Sequence, residues 1–501
     1  MSVILLNYDD ATYYEKEESL VEEYSEAFGL KFLKSIGRFS VAPIINFVLG
    51  IIAVVLLTRV LPPDIYGAWN LFNVAANLLV AISCLAMQEG FLRFAYELPS
   101  GWDIKQLLLK CVTAACGGFI LVSGAVLSFY RDISLWIFHE ESLYRMVLLL
   151  VYTFSLLLLT RFSGNYYRVL NAVTPYTVQQ VGVQFFSKVF ILTAVVISCD
   201  TDTVLAVNTA GVLGFLVVGA VLQRKNFFQG NVGASWNGFK AVGKFSISTW
   251  PVHVLSQISP SLIPIILANR LGTYEVGVYA ATNIFAAAIV VLNAGFMTYW
   301  VVFVYKHFLD KQEFIIQVHN YMILCILFVF SGIIAFQHVV YLLIGAEYQI
   351  SRMFFSIVIS DVFFSAFEAT TQQGIAIKKK VHENIFILTG ALCIQFACAW
   401  YLIHIWGVMG AACAVMVSGF IRCILSTWRG QKYYRSIEKW WKSALGMGLI
   451  IVIATSNYIF ADSYWIEVAF LFVVNIVTCM FFRKDILKAV TAFQSYRALR
   501  S

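Results

Sequence analysis

Apolar runs long enough to cross a bilayer recur along almost the whole chain, separated by short polar turns. At about 20 apolar residues per crossing, the pattern predicts spans near residues 40–61, 67–90, 106–129, 143–163, 177–198, 203–222, 245–268, 275–303, 315–336, 350–373, 383–403, 406–427, 442–460 and 463–482. Fourteen spans put both termini on one side of the membrane. Residues 1–39 read as an acidic cytosolic tail ending in an amphipathic run, where Lys31, Lys34 and Arg38 sit among Phe32, Leu33 and Ile36. Such a run is suited to lying on a leaflet.

Proline interrupts this pattern in one place above all. Pro251, Pro260 and Pro264 fall inside a single apolar stretch and are three of the eight prolines in the chain. A proline within a helix removes a hydrogen bond and costs roughly 3 kcal/mol in water. In a membrane the freed carbonyls need neighbouring helices or a water-filled cavity. The seventh span, and the first span with Pro43, are therefore expected to bend and to act as gates. These two spans also begin a repeat. Arg59 followed by Gly67-Ala68-Trp69 matches Arg270 followed by Gly277-Val278-Tyr279, six spans later. Both run in the same direction, which implies a parallel repeat about an axis along the membrane normal. The chain then divides into an N-lobe over 40–222 (spans one to six), a cytosolic linker over 223–243 and a C-lobe over 244–427 (spans seven to twelve). Spans thirteen and fourteen over 428–482 and a basic cytosolic tail over 483–501 lie outside the repeat.

Polar residues inside the spans line up on faces. Asn70, Asn73 and Asn77 recur at spacings of three and four, which places them on one side of a helix. They serve either as interhelical hydrogen bonding or as the wall of a solvated cavity. Gln180, Gln184 and Lys188 form a second stripe. Lys188 sits near the middle of its span, where a charge costs about 2.5–3.5 kcal/mol on insertion scales and marks a functional candidate; a buried ion pair is the other reading. Asp361 and Glu368 share a face in the tenth span, as an ion or proton site or as a structural pair. His253, with Gln257 one turn away, is a group that titrates near neutral pH or else a packing residue.

Composition agrees with this reading. The chain is 60% hydrophobic and 13% charged, with mean hydropathy +0.79, whereas soluble domains are about 25% charged. Of the 35 Lys and Arg residues, 29 fall in segments on the side of the N-terminus, and basic residues accumulate in cytoplasmic loops. Both termini are therefore expected in the cytoplasm. The net charge of +7 is a signal of topology, not of nucleic-acid binding. The ten cysteines lie in or beside spans without metal-ligand spacing and read as small packing residues. The first thirty residues are acidic and unlike a signal peptide. No phosphate loop, HExxH pair or GxSxG elbow occurs, and the loops are too short for a soluble catalytic domain. Neither an enzyme nor an ATP-hydrolysing pump is expected, and no cofactor or metal.

The repeat also carries a resemblance. LLTRVLPPDIYGAWNLFNVAANLL, followed by QEGFLRFAYE, resembles the opening of the polysaccharide or O-antigen oligosaccharide flippases of the multidrug/oligosaccharidyl-lipid/polysaccharide (MOP) exporter superfamily. Members of that family read roughly R-x-L-G-P-x-x-F-G and later G-x-x-x-x-x-x-R-F-x-x-E. ILANRLGTYEVGVYAATNIF resembles their junction of the seventh and eighth spans, usually D-R and then G-x-Y-x-x-A. Two departures stand out: Pro62-Pro63 replaces the usual Gly-Pro, and Asn269 replaces the usual Asp.

The resemblance implies an all-α polytopic protein in which two six-helix lobes form an inverted V. It implies movement of an undecaprenyl-pyrophosphate-linked oligosaccharide from the inner to the outer leaflet of a bacterial plasma membrane. Asn70, Asn73, Asn77, Gln180 and Gln184 would then line a sugar site, and Lys188, Arg59 and Arg270 would face the pyrophosphate. Asp361, Glu368 or His253 would couple an ion or proton gradient. The implied partners are the lipid-linked oligosaccharide, membrane lipids and glycan polymerase or assembly proteins. A drug antiporter of the same architecture would instead need a cavity of carboxylates and aromatics. A membrane polymerase or ligase would normally carry a large outer loop, which this sequence lacks.

Overall fold

The computed structural model describes residues 44–98, 102–138, 144–170, 172–197, 200–222, 238–378, 380–461 and 463–488. Among them every regular element is helical. The N-terminal half holds α1 (Ile44–Val60), α2 (Pro63–Ser83), α3 (Met87–Phe94), α4 (Ile104–Ser128), α5 (Tyr130–Phe138), α6 (Tyr144–Val169), α7 (Val173–Ile197) and α8 (Thr201–Leu222). The C-terminal half holds α9 (Phe239–Leu271), α10 (Thr273–Ala281), α11 (Asn283–His307), α12 (Gln312–Ala335), α13 (Phe355–Thr371) and α14 (Val381–Tyr433), followed by α15 (Trp440–Ile459) and α16 (Tyr464–Phe481). The acidic tail, Pro43, most of the inter-lobe linker and the end of the basic tail lie outside the described residues.

The faces of α1 show why such sequences settle where they do. Ile44, Val48, Ile52, Leu56 and Val60 are exposed at a spacing of four, and Ala53 and Leu57 are buried against the bundle. In hydrocarbon the exposed apolar stripe meets lipid, and every backbone hydrogen bond stays within the helix. Helix association there rests on packing and polar contacts, since lipid is as apolar as leucine.

Two expected spans are less regular than their hydropathy suggests. The second is broken after α2, where Leu85 and Ala86 both adopt φ of 51° before α3 begins. The tenth is preceded by a short 3-10 helix, Ala346–Met353, which meets α13 at 59°. The eleventh and twelfth spans are the two arms of α14. They are separated only by Gly407, whose φ of 56° and ψ of −135° interrupt the helix. A side chain at φ above zero is strained, so glycine is the natural residue for this reversal. The seventh span, α9, is one 33-residue helix that runs through Pro251, Pro260 and Pro264.

The two halves share a core. Leu71 and Phe72 of α2 cluster with Ile263 and Leu267 of α9 and with Ala411 of α14. A second cluster joins α1 to α12, α13 and α15 through Leu57, Phe330, Phe363 and Ile453. Where α2 meets α10, Gly67 and Gly277 lie against each other's helices with no room for a side chain on either.

Candidate functional site

A polar seam follows one face of α2 towards α3 and is closed from the other half by α9. Asn73 Nδ2 donates to the Trp69 carbonyl (2.8 Å), and Asn77 Nδ2 donates to the Asn73 carbonyl (2.9 Å). Each asparagine thus bonds back one turn, leaving its amide oxygen to face outward. Arg161 Nη2 of α6 donates to the Asn77 oxygen at 3.4 Å. Asn70 is half-buried on the same face. Above it, Asn208 Oδ1 of α8 accepts from Trp69 Nε1 (3.3 Å) and from Ser187 Oγ (2.5 Å).

At the other end of the seam, Gln88 of α3 is 3% exposed. Its Nε2 lies 3.0 Å from His253 Nε2 of α9. With the amide as donor, the imidazole nitrogen accepts and the ring is neutral. One turn earlier on α9, Trp250 Nε1 donates to the carbonyls of Ala81 (3.3 Å) and Ile82 (3.1 Å). His253 and Trp250 therefore fasten α9 across the end of α2, while Gln88 Oε1 stays buried without a partner.

Two cations stand in the spans of the first half without a counter-ion among the described residues. Arg161 makes only the bond to Asn77, and Glu89, close enough to act on it electrostatically, stays beyond ion-pair distance. Lys188 is half-buried in α7 with neither hydrogen bond nor ion pair. Of its stripe, Gln184 is exposed and Gln180 is half-buried. The Gln180 carbonyl accepts from Asn46 Nδ2 of α1 at 3.4 Å, and its side-chain amide packs against Gly164 of α6.

Asp361 and Glu368 of the second half are engaged. Arg422, on the second arm of α14, donates through Nη2 to Asp361 Oδ1 (3.0 Å) and to Ser365 Oγ (2.5 Å), and through Nε to Glu368 Oε2 (3.1 Å). A Cβ at Gly419 would lie 2.2 Å from Asp361 Oδ1, so the glycine one turn before Arg422 lets the carboxylate seat against α14. Asp361 keeps 28% of its side chain exposed, against 11% for Glu368.

Other expected site residues sit elsewhere. Arg59 donates to the carbonyls of Leu343 (2.8 Å) and Leu342 (3.3 Å), and the Arg270 guanidinium lies 3.6 Å from the centre of the Trp400 ring. Both stand at the C-terminal ends of α1 and α9, holding segments of the second half. Pro251 and Pro260 are exposed and Pro264 is buried. Gln257 accepts from Ser261 Oγ through its carbonyl.

Arg161, Gln88 and Arg422 were not among the expected site residues. Arg161 and Arg422 stand two and five residues before the ends of the expected spans at 163 and 427 and belong to the 29 basic residues assigned to the side of the N-terminus, whereas the helices continue to Val169 and Tyr433. Adding that length, at 1.5 Å per residue, would have moved both into the bundle.

No protein-family model matches the chain, nor does any curated protein. Among solved structures it is similar to the lipid II flippase MurJ in an inward closed conformation, with TM-score 0.61 and 14% identity over 89% of this chain and 99% of that one. It is similar also to an inward-facing multidrug resistance MATE family transporter of the MOP superfamily, with TM-score 0.52 and 12% identity over 79% and 97%. A MOP superfamily transporter from Pyrococcus furiosus gives TM-score 0.51 and 13% identity over 80% and 95%. The chain has the fold of the MOP transporters. At these identities the likeness is one of fold, with the seam between its two halves; the eight helices among the described residues that are long and apolar enough to cross a membrane make the protein a multi-pass membrane protein.

Proposed function

We propose that this protein is a transporter that moves a lipid-linked oligosaccharide across a bacterial inner membrane by alternating access, with an undecaprenyl-pyrophosphate carrier as the lipid. The observation that carries this reading is the balance of uncompensated charge. Asp361 and Glu368 are both held by Arg422, whereas Arg161 and Lys188 have no anionic partner among the described residues. Free cations at half-buried positions suit a pyrophosphate, because hydrogen bonds between charged groups are about twice as strong as neutral ones. A cationic drug would need the reverse. The amide oxygens of Asn73 and Asn77 and the exposed Gln184 supply acceptors and donors for sugar hydroxyls.

In this mechanism the halves rock about the outer contact of α2 with α10. The inner contact, made by Gln88, His253 and Trp250, parts to admit the headgroup. The prolines of α9 supply the bending. Asp361, the more exposed of the two carboxylates, or His253 couples the cycle to an ion or proton gradient. Glycan polymerase and assembly proteins are the partners this function implies.

The test is a deletion strain complemented with wild type, Lys188→Ala or Arg161→Ala. The expected result is lipid-linked oligosaccharide accumulating on the cytoplasmic leaflet, cleared by wild type and by neither variant at equal membrane levels. Unchanged surface glycan together with lost resistance to cationic dyes would instead make the protein a drug antiporter.

A further inference from the structure

Away from the seam, the two arms of α14 enclose a cleft of about 340 Å³ at the end where both arms leave the apolar zone. That volume is at the lower end of the ~300–1,000 Å³ typical of ligand pockets. The first arm contributes residues at spacing four, and so does the second, so each presents a single face to the cleft. Ile387, buried, and Leu425 form its apolar floor, and Phe386 and Trp428, exposed by 73% and 56%, form its walls. Its polar end is made by His382, Glu383 and Arg429.

The polar end is built rather than incidental. Glu383 accepts from the Tyr433 hydroxyl and pairs with Arg429 Nε at 3.4 Å. Arg429 also lies 4.7 Å from the centre of the Trp428 ring. These contacts fix the guanidinium through one edge. Its two terminal nitrogens have no hydrogen-bond partner among the described residues. Lys378, Lys380 and Lys432 are exposed at the same end of the bundle. A guanidinium with free terminal N–H groups suits a phosphate diester, and tryptophan is favoured at the level of lipid headgroups.

We propose that this cleft binds an anionic phospholipid of the adjoining leaflet, its phosphate on Arg429 and the first methylenes of its chains against Phe386, Ile387, Leu425 and Trp428. The occupant is a lipid and not free phosphate, because the floor and walls are apolar and the walls, Phe386 and Trp428, are themselves exposed. Such a lipid would hold the two arms of α14 together at their open ends, opposite the Gly407 reversal.

The experiment is thermal unfolding of the delipidated full chain in detergent. The additions are phosphatidylglycerol, phosphatidylcholine or inorganic phosphate, with native mass spectrometry for bound lipid. Phosphatidylglycerol is expected to raise the midpoint and to stay bound, and phosphatidylcholine and phosphate to do neither. Arg429→Ala should abolish the shift, and Glu383→Gln, which keeps the guanidinium and removes its competing anion, should preserve or enlarge it. Trp428→Ala should reduce it. Equal shifts from phosphatidylcholine, a shift from phosphate alone, or a full phosphatidylglycerol shift in Arg429→Ala would overturn the proposal.

Discussion

Gly67 of α2 and Gly277 of α10 pack against each other's helices reciprocally. A Cβ at Gly67 would lie 1.8 Å from the Thr273 carbonyl oxygen and 2.6 Å from the Gly277 nitrogen, and one at Gly277 would lie 1.9 Å from the Pro63 carbonyl oxygen. Each glycine meets the residue four positions before the other, which is the self-complementary geometry of a two-fold contact. Gly67 and Gly277 are also the positions that the sequence repeat equates.

Because the atoms met are backbone, neither helix can yield locally. Gly67→Ala and Gly277→Ala are each expected to lower stability by about 1–3 kcal/mol, the usual cost of overpacking. Gly50→Ala is the control, since nothing lies within 4 Å of a Cβ there. Melting in detergent checks this. A Gly67→Ala midpoint equal to that of Gly50→Ala would mean that the halves do not meet through these glycines.

Arg422 is expected to be indispensable for stability while its carboxylates remain. Arg422→Ala leaves Asp361 and Glu368 as two uncompensated anions within the membrane, and removal of one partner from a buried pair typically costs ~3–5 kcal/mol. Replacing the whole triad, as Asp361→Asn with Glu368→Gln and Arg422→Gln, should recover most of the loss. The yield and melting point of the folded protein measure both. If the triple variant also retains transport, the proposed coupling would rest on His253 and not on Asp361.

The helical character of the long apolar runs was legible because the bilayer fixes their length and leaves their backbone no other partner, although among the described residues eight helices, or nine with the bent pair ending in α13, are long and apolar enough to cross, with α14 counted once, against the fourteen spans expected. The asparagine stripe was legible for a related reason, since helical spacing alone put Asn73 and Asn77 on one face. The partners of the charged residues were not legible. Arg422 and Asp361 are 61 residues apart, and their contact depends on the crossing of α13 with α14 and on the missing side chain at Gly419, neither of which is a periodic feature. The interruption at Leu85 and Ala86 was hidden too, because both residues are ordinary in a helix and neither is glycine.

Lys188 and Arg161 should separate from the structural ion pairs in one respect. Neither has an ion-pair partner among the described residues, and Glu89, which acts on Arg161 from beyond ion-pair distance, is exposed, so substitution strands no buried opposite charge. Lys188→Ala and Arg161→Gln are expected to melt at or above the wild-type temperature. On the proposed function each would nevertheless remove a charged hydrogen bond to the substrate worth about 1.5–3 kcal/mol, which is roughly a tenfold to hundredfold loss of affinity at 1.4 kcal/mol per decade. Binding of a lipid-linked pyrophosphate to purified variants gives the number. Unchanged affinity in both would remove these two residues from the substrate site.

The last two helices are fixed to the second half at both ends, and this sets their contribution to stability. At one end Lys442 pairs with Asp485 at 2.7 Å, and Asn320 of α12 donates to the same carboxylate at 3.0 Å. At the other, Gln337 donates to Asn457 (2.7 Å) and to Glu467 (2.9 Å). Lys442 and Asp485 are 9% and 6% exposed, so Lys442→Met strands a buried carboxylate and is expected to destabilise by ~3–5 kcal/mol. Lys442→Met with Asp485→Leu removes both buried charges and leaves only the half-exposed Glu438, which Lys442 also meets at 3.3 Å, and a well-packed apolar replacement of a buried pair is often neutral or better. The double variant should therefore melt several degrees above the single one. Equal melting points would show that α15 and α16 are held by their apolar contacts alone, and that this ion pair does not determine how they dock.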